Sequence, residues 1–176
     1  AHDGWYYALY PWGVSQRQTL PSFYNLHKLR GAVVCKAEIA RGIGKALGME
    51  VRVPHGATGD VDTDLRSKAK ATVELLQQYD FVVTHFNGTD EAAHRYDALE
   101  KVAFIERIDK EFLGTVLDAV REPLKIVICG DHVTSSVTGK HDRGAGPVIS
   151  AFSDGRSMVK LENYRDIIKF LMKECD

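Results

Sequence analysis

The sequence lacks several features that would assign it to a simple functional class. Its three cysteines are far apart and form no Cys-x-x-Cys pair, which excludes a zinc ribbon. The net charge of the 176 residues is −1, so no excess of positive charge attracts nucleic acid or an anionic membrane. No apolar run is long enough for a membrane span, and no signal-peptide pattern opens the chain. We therefore expect neither a nucleic-acid partner nor a membrane partner.

The cysteines that are present indicate a reducing environment. Cys35 and Cys129 lie in apolar runs typical of strands, which predicts that both are buried free thiols. Free thiols persist in the cytoplasm, where we expect the protein to act. Apolar residues make up 44% of the chain, enough for a core, and the length predicts a single domain over residues 1–176.

Apolar runs and helical patterns alternate along most of the chain. Buried strands are predicted at residues 31–35, 49–53, 80–86, 124–130 and 147–152. Helices are predicted at residues 36–48, 62–79, 99–121 and 163–174. Strands that alternate with helices form right-handed βαβ units, and continuous apolar runs suit strands covered on both faces. The expected fold class is α/β, with three layers (α/β/α) around a mostly parallel sheet.

Residues of metal-ligand type follow the third and the fourth of these strands. The five candidates are Asp90, His94, Asp131, His132 and His141. Asp90 and His94 are four positions apart, so a helix would place them on one face. The other three lie in the segment CGDHVTSSVTGKHDRG, which has no helical period. Because ligands bind outside the carboxyl ends of strands in open α/β sheets, we expect the two groups to meet.

Carboxylates mixed with neutral imidazoles suit Mn²⁺, Zn²⁺ or Fe²⁺, whereas Ca²⁺ and Mg²⁺ prefer oxygen ligands almost alone. Five such ligands are about what two adjacent ions need, and paired ions about 3.5–4 Å apart can clamp a phosphoryl group in transfer. Each residue also has a simpler interpretation. Asp90 would suit a helix cap, His94 a solvated helix position, Asp131 a turn, and the other two histidines a hydrogen-bonded loop.

Several further polar residues lie near these candidates in the sequence. Hydroxyls that could attack a substrate, but that are commoner as loop hydrogen-bonding groups, are Thr58, Thr134, Ser135 and Ser136. Arg17 and Arg143 could bind a phosphate or a carboxylate and equally suit the surface. Lys101 could reach a phosphate, but the sequence favours a solvated helix position for it. The segment GATG around Thr58 is too short for a phosphate-binding P-loop and predicts a tight turn. Cys129 is expected to pack in its strand rather than to bind metal.

The start of the chain is unusual. It begins with Ala1, and the segment AHDGWYYALYPWG is rich in aromatic residues without the pattern of a strand or helix. A processed chain, a shifted numbering and a fragment would each explain this. The resemblance described next favours the fragment.

Four segments, in order, resemble the cofactor-independent phosphoglycerate mutases of the archaeal type. TDEAAHRYDALEKVAFIERID is similar to their DEAGH segment with its following lysine and helix, and GDHVTSSVTGKH…GPVI is similar to their DH-S/P-T-P…H…DPVP segment. MEVRVPHGATGDVDTD and ALYPWG…LPSF resemble the stretches that precede these. The resemblance covers nearly the whole chain and implies membership of the alkaline phosphatase superfamily.

The resemblance implies roles for the five candidates. Asp90, His94 and His141 would hold one divalent ion, and Asp131 and His132 would hold the other. Mn²⁺ is the expected metal, with Zn²⁺, Co²⁺ and Fe²⁺ as alternatives. In the family, the second ion also takes an aspartate and the nucleophilic serine from the N-terminal half, and neither is found here. The chain is therefore expected to be the C-terminal portion of the enzyme, with no catalytic nucleophile of its own.

The sequence departs from the family pattern at a few positions. DEAAH replaces DEAGH, and Arg95 and Tyr96 follow His94 where the family usually has Asp-Gly or Glu-Gly. Trp12-Gly13 stands where many members have Arg-Gly, which removes a bidentate phosphate anchor. None of these changes affects the five expected ligands.

The resemblance implies a metal-dependent phosphoglycerate mutase that converts 3-phosphoglycerate to 2-phosphoglycerate through a phosphoserine. The partner would be a small phosphorylated substrate, with self-association possible through the sheet edge left open by a missing half. One alternative is another phosphatase or phosphomutase of the same superfamily. The other is a catalytically silent metal-binding module, which the missing serine favours.

Overall fold

The structure, a computed structural model, describes residue 16, residues 18–155 and residues 163–172. The predictions for Trp12-Gly13, Arg17 and the end of the last helix lie outside the described residues. The helices are α1 Phe23–His27, α2 Glu38–Ala46, α3 Leu65–Leu76, α4 Gly88–His94, α5 Ala98–Arg107, α6 Gly114–Ala119 and α7 Arg165–Met172. The strands are β1 Gly31–Val34, β2 Glu50–Arg52, β3 Phe81–Thr84, β4 Lys125–Cys129, β5 Val133–Ser135, β6 Lys140–Asp142 and β7 Val148–Phe152.

The first three strands form a parallel sheet in the order β2-β1-β3. The central strand β1 is buried along its whole length, because it is apolar and has a neighbour on each side. Ala32 and Val34 pack in a core cluster with Ala71 and Leu75 of α3. The predicted α/β class with a parallel sheet is confirmed.

Helix α3 begins as its sequence predicts. The carboxylate of Asp64 is the N-cap and accepts a hydrogen bond from the backbone N–H of Ser67 at 2.8 Å. The helix then buries Lys68 along with its apolar face.

The remaining strands do not join the parallel sheet as the alternating pattern predicted. β4 pairs with β7 and β5 with β6, and both pairs are antiparallel. A parallel pair needs a crossover connection, usually a helix, but between β4 and β7 lies only the β5–β6 hairpin. The prediction that both faces of each strand are covered is also wrong for β4 and β7, since Ile128 and Ile149 are 47% and 52% exposed.

The predicted helix over residues 99–121 is present but is not uniform. A π-helical segment, Ile108–Leu113, joins α5 to α6. Phe104 and Val116 are the buried residues of α5 and α6, whereas Val102 and Ile105 are half-exposed. The extra residue in the π turn shifts the apolar face, so one 3.6-residue pattern does not fit both halves.

One cysteine prediction is wrong. Cys35, directly after β1, is fully buried, but Cys129, the last residue of β4, is exposed. In the parts of the chain that the structure describes, no helix is long and apolar enough to cross a bilayer.

Candidate metal centre

Helix α4 presents Asp90 and His94 on one face, as their spacing predicts. The Nε2 atom of His94 lies 3.3 Å from Oδ2 of Asp90. The start of this helix is tightly packed. A Cβ atom on the buried Gly88 would lie 2.6 Å from the Phe104 ring and 2.8 Å from the backbone nitrogen of Val61. Glycine therefore lets α4 approach its neighbours closely enough to fix the position of Asp90.

The β5–β6 hairpin brings His141 to the same place. His141 pairs with Thr134 across the hairpin, and its Nε2 atom lies 3.7 Å from Oδ1 of Asp90. Ligand atoms of Asp90, His94 and His141 all lie within 4.8 Å of one another. One carboxylate and two imidazoles at such distances suit a transition-metal ion.

The imidazole of His94 is oriented for metal binding. Its Nδ1 atom lies 2.7 Å from the carbonyl oxygen of Gly139. A carbonyl oxygen only accepts hydrogen bonds, so Nδ1 is the donor, and in a neutral ring the lone pair is then on Nε2, the atom that faces Asp90. A backbone carbonyl on the second ring nitrogen is a common partner of a metal-binding histidine.

Thr134 connects the two groups of candidate ligands. Its hydroxyl is buried and donates to Oδ1 of Asp90, and it also lies 3.1 Å from Nδ1 of His132. The hydroxyl has one hydrogen, and with Asp90 ionised that hydrogen goes to the carboxylate. Nδ1 of His132 is then the donor to Thr134, which leaves its Nε2 free as a ligand atom.

Asp131 and His132 lie next to this cluster but form a sparser group. The rings of His132 and His141 have centroids 3.9 Å apart. The Nε2 atom of His132 is 3.7 Å from Oδ2 of Asp131, whose side chain is 83% exposed. Asp131 and His132 thus provide two ligand groups, whereas the cluster of Asp90, His94 and His141 provides three.

A small cavity opens beside these residues, and one cationic side chain, that of Lys101, lies on its wall. Its lining consists of Thr89, Asp90, Lys101, Gly130, Asp131, His132 and Thr134. The ammonium group of Lys101 donates one hydrogen bond to the carbonyl oxygen of Thr134 at 2.9 Å. A lysine has three N–H donors, so two remain for a ligand in the cavity. Lys101 is thus not the solvated helix residue that the sequence favoured.

A second, fully buried lysine lies under the carboxyl end of β3. Lys68 is 1% exposed, and its Nζ atom donates to the carbonyl oxygen of His85 at 2.9 Å. Burial lowers the pKa of Lys68 from 10.5 to about 8. Burial, and then the charge of Lys68, also lowers the pKa of His85. Sequence patterns gave no sign of this group, since a lysine in a helix usually faces solvent.

The other candidate hydroxyls have local structural roles. Thr58 bonds within its own loop, to Asp62 and to the N–H of Asp60, which fits the predicted tight turn. The Ser135 hydroxyl accepts hydrogen bonds from the backbone of Val137 and Thr138. Arg143 is exposed, outside the residues that line the cavity.

Arg95, one of the departures from the family pattern, makes a network of ion pairs. Its guanidinium group donates to both carboxylate oxygens of Asp60, at 2.7 and 2.9 Å, and to Glu100 at 2.6 Å. These carboxylates raise its pKa further above its usual range. Arg95 thereby ties the loop before α3 to the end of the helix that carries Asp90 and His94.

Comparison with known protein families identifies relatives across nearly all of the chain. The sequence profile of the Metalloenzyme superfamily matches residues 7–167. A 2,3-bisphosphoglycerate-independent phosphoglycerate mutase from Methanopyrus kandleri is 39% identical over 148 residues, which are 83% of this chain and 35% of that protein. An enzyme of the same name from Saccharolobus islandicus is 43% identical over 138 residues, or 78% of this chain and 33% of that protein. The chain thus spans about a third of the length of these relatives.

Solved structures agree with this assignment of the fold. A Pyrococcus horikoshii protein superposes with a TM-score of 0.72 at 37% identity, over 77% of this chain and 41% of that one. A cofactor-independent phosphoglycerate mutase from Thermoplasma acidophilum superposes with a TM-score of 0.55, over 88% of this chain and 40% of that one. Its 22% identity makes it evidence for the fold alone.

Proposed function

The chain belongs to the Metalloenzyme superfamily, and from that membership we propose that it forms the metal-binding part of a phosphoglycerate mutase. The whole protein would convert 3-phosphoglycerate to 2-phosphoglycerate through a phosphoserine. The observation that supports this most is the cluster of Asp90, His94 and His141, with ligand atoms within 4.8 Å, in a chain 39% identical to an enzyme of that name.

The proposed site takes two divalent ions. We assign Asp90, His94 and His141 to one ion and Asp131 and His132 to the other. We assign Mn²⁺ to both positions, with Zn²⁺, Co²⁺ and Fe²⁺ as alternatives, because the donors are mixed oxygen and nitrogen. When bound, such ions neutralise charge on a phosphoryl group in transfer and lower the pKa of an attacking hydroxyl.

Within the chain, Lys101 is suited to hold the phosphoryl group. Its ammonium group lies on the cavity wall with one hydrogen bond to Thr134, and its remaining donors can bind phosphate oxygens. We assign the attacking serine to a part of the protein outside these 176 residues, consistent with the third of its relatives' length that the chain spans. We place the protein in the cytoplasm, in keeping with the buried free thiol of Cys35.

The test uses the protein encoded by the complete reading frame. It is purified without metal and supplied with Mn²⁺ and 3-phosphoglycerate, and ³¹P NMR follows both 2-phosphoglycerate and free phosphate. We expect 2-phosphoglycerate without net phosphate release, and a loss of at least a hundredfold in rate for Asp90→Asn. Glu91→Gln is the matched control, because this neighbouring carboxylate bonds to Asn87 and lies outside the cluster.

Two other outcomes would reassign the function. Net release of phosphate would identify a phosphatase that uses the same ligands. Tight Mn²⁺ binding without turnover of any phosphate ester would indicate a silent metal-binding module.

A further inference from the structure

The two residues that follow His94 differ from the family pattern, and one of them has an unusual backbone conformation. Tyr96 has φ +64°, in the left-handed region. For a residue other than glycine this conformation is unfavourable, because Cβ comes too close to the backbone carbonyl oxygen. Its side chain is also 64% exposed, so little burial offsets that cost.

The ring of Tyr96 lies directly on the turn of the β5–β6 hairpin. A Cβ atom on Gly139 would lie 2.8 Å from Cζ, 3.0 Å from Cε1 and 3.1 Å from the hydroxyl oxygen of Tyr96. Gly139 itself has φ +61° and donates its N–H to the carbonyl oxygen of Ser135 at 2.8 Å. Glycine is therefore required at position 139 for two reasons: the left-handed backbone conformation and the closeness of the Tyr96 ring.

The same turn residue contacts the candidate metal site. The carbonyl oxygen of Gly139 accepts the hydrogen bond from Nδ1 of His94, and His141 follows two residues later in β6. The peptide unit beneath the Tyr96 ring thus sets both the orientation of one ligand and the start of the strand that carries another. Strain in a backbone persists when the surrounding structure holds it and often marks a functional site.

We propose that Tyr96 is a positioning residue: its ring, held in place by the left-handed backbone, presses on the Gly139 turn and so fixes the tautomer and direction of the His94 imidazole. This proposal rests on the proposed function, because positioning His94 matters only if His94 is a metal ligand. Tyr96 is outside the three-residue cluster and the cavity lining. Its effect passes through Gly139 to the free Nε2 atom.

The test combines metal binding with a direct measurement of the His94 tautomer. Co²⁺ alone is titrated into the protein encoded by the complete reading frame and followed by its visible absorption, and ¹⁵N shifts of labelled histidine are recorded without metal at pH 8.5. Three variants separate the ring from the backbone. Tyr96→Phe keeps the ring, Tyr96→Asn keeps a residue that tolerates the left-handed conformation, and Tyr96→Gly removes both the ring and the strain.

We expect Tyr96→Phe to bind Co²⁺ within twofold of the wild type. Tyr96→Asn and Tyr96→Gly should bind about tenfold more weakly, as for loss of an outer partner of a ligand. Their unfolding temperature should stay equal or rise, because strain is removed. The His94 ring should change from the single Nδ1–H tautomer to a mixture.

A double-mutant cycle then tests the contact itself. Gly139→Ala should weaken Co²⁺ binding in the wild type but less in the Tyr96→Gly background, because the backbone strain at position 139 remains and only the collision with the ring is removed. Equal losses in both backgrounds would overturn the proposal. Wild-type binding and a wild-type tautomer in Tyr96→Asn would overturn it too.

Failure of the proposed function gives a different result. If the wild-type chain binds no Co²⁺, the metal assignment fails, and the ¹⁵N shifts alone decide whether Tyr96 sets the His94 tautomer.

Discussion

The hydroxyl group of Thr134 links the two candidate ion positions. Thr134 gives that hydrogen to Asp90 and receives one from His132, so both side chains are held by one buried oxygen. Neither an ionised aspartate nor a histidine can replace it, because the position needs one atom that both donates and accepts a hydrogen bond.

We expect Thr134→Val to weaken divalent-metal binding by about tenfold, because His132 loses its acceptor and Asp90 its donor. Isothermal titration with Mn²⁺ measures this. Thr134→Ser keeps the hydroxyl and should bind within about threefold of the wild type. If the valine variant binds as tightly as the serine variant, the bridging role is wrong.

The buried charge of Lys68 has a cost that depends on pH. With its pKa lowered from 10.5 to about 8, the ammonium group destabilises the fold by roughly 3 kcal/mol at neutral pH. Below pH 8 both the folded and the unfolded states hold the proton, so the cost is constant. Between about pH 8 and 10.5 only the unfolded state holds it, so the free energy of unfolding rises with pH.

Lys68→Met should therefore stabilise the chain at pH 7, by about 1–2 kcal/mol after the loss of the hydrogen bond to His85. The gain should shrink as the pH approaches 10. Urea unfolding at both pH values measures it, with Lys70→Met, exposed on the same helix, as the control. A gain that does not change with pH would contradict the assigned pKa.

At the residue scale, the sequence singled out five ligand-type side chains, of which the structure brings Asp90, His94 and His141 together, but not the residues that orient them. Asp90 and His94 were singled out because helix spacing is regular and the strand end was visible. Thr134 and Gly139 act through contacts with residues more than 40 positions away in the chain, and no local pattern encodes such contacts. The burial of Lys68 is likewise set by the neighbours of its helix.

At the scale of elements, helix α2 contains two glycines in different surroundings. A Cβ atom on Gly42 would meet nothing within 4 Å, whereas one on Gly44 would lie 3.0 Å from Val51 and 3.1 Å from Val33. Alanine favours a helix over glycine by about 0.8–1.0 kcal/mol. The valines are stiff and held in their strands.

We therefore expect Gly42→Ala to raise the free energy of unfolding by up to about 1 kcal/mol. The free energy of unfolding of Gly44→Ala should be at least about 1 kcal/mol lower than that of Gly42→Ala, since the added methyl group forces the helix away from the sheet. Urea denaturation of both variants tests the difference. Equal gains would mean that α2 does not pack as closely as its contacts indicate.

Helix and strand positions were predicted well where one periodicity holds. β1, α2, α3 and β3 all fall inside their predicted ranges. The β5–β6 hairpin was missed because each strand has three residues, too few to show an alternating pattern. The apolar face of residues 99–121 was misassigned at the π-helical segment, where one added residue changes the phase.

At the scale of the whole molecule, apolar side chains remain exposed on strands. Val83 of β3, the edge strand of the described parallel sheet, is 39% exposed, and the paired Ile128 and Ile149 are also exposed. An open, apolar strand edge favours pairing with another chain. The sequence predicted such an edge, and we propose that the chain self-associates through it.

Sedimentation equilibrium tests this proposal. The 176-residue chain should show a mass that rises with concentration, and Ile149→Lys should shift the mass toward that of the monomer. Leu99→Lys changes an equally apolar but helical residue, 84% exposed on α5, and should leave the mass unchanged. A monomer at all concentrations would remove the edge as an interface.

The candidate ligands come from two distant parts of the chain, and this makes an ion a cross-link. Asp90 and His94 belong to α4, whereas His141 belongs to a hairpin that follows the long α5–α6 connection. An ion held by all three connects these parts in the folded state only, because the unfolded chain does not bring the three ligands together, and its binding therefore stabilises the fold. At a hundred times its dissociation constant it would add about 2.7 kcal/mol to the free energy of unfolding. Adding EDTA should therefore lower the unfolding temperature. The stability of this region would then depend on the concentration of available metal.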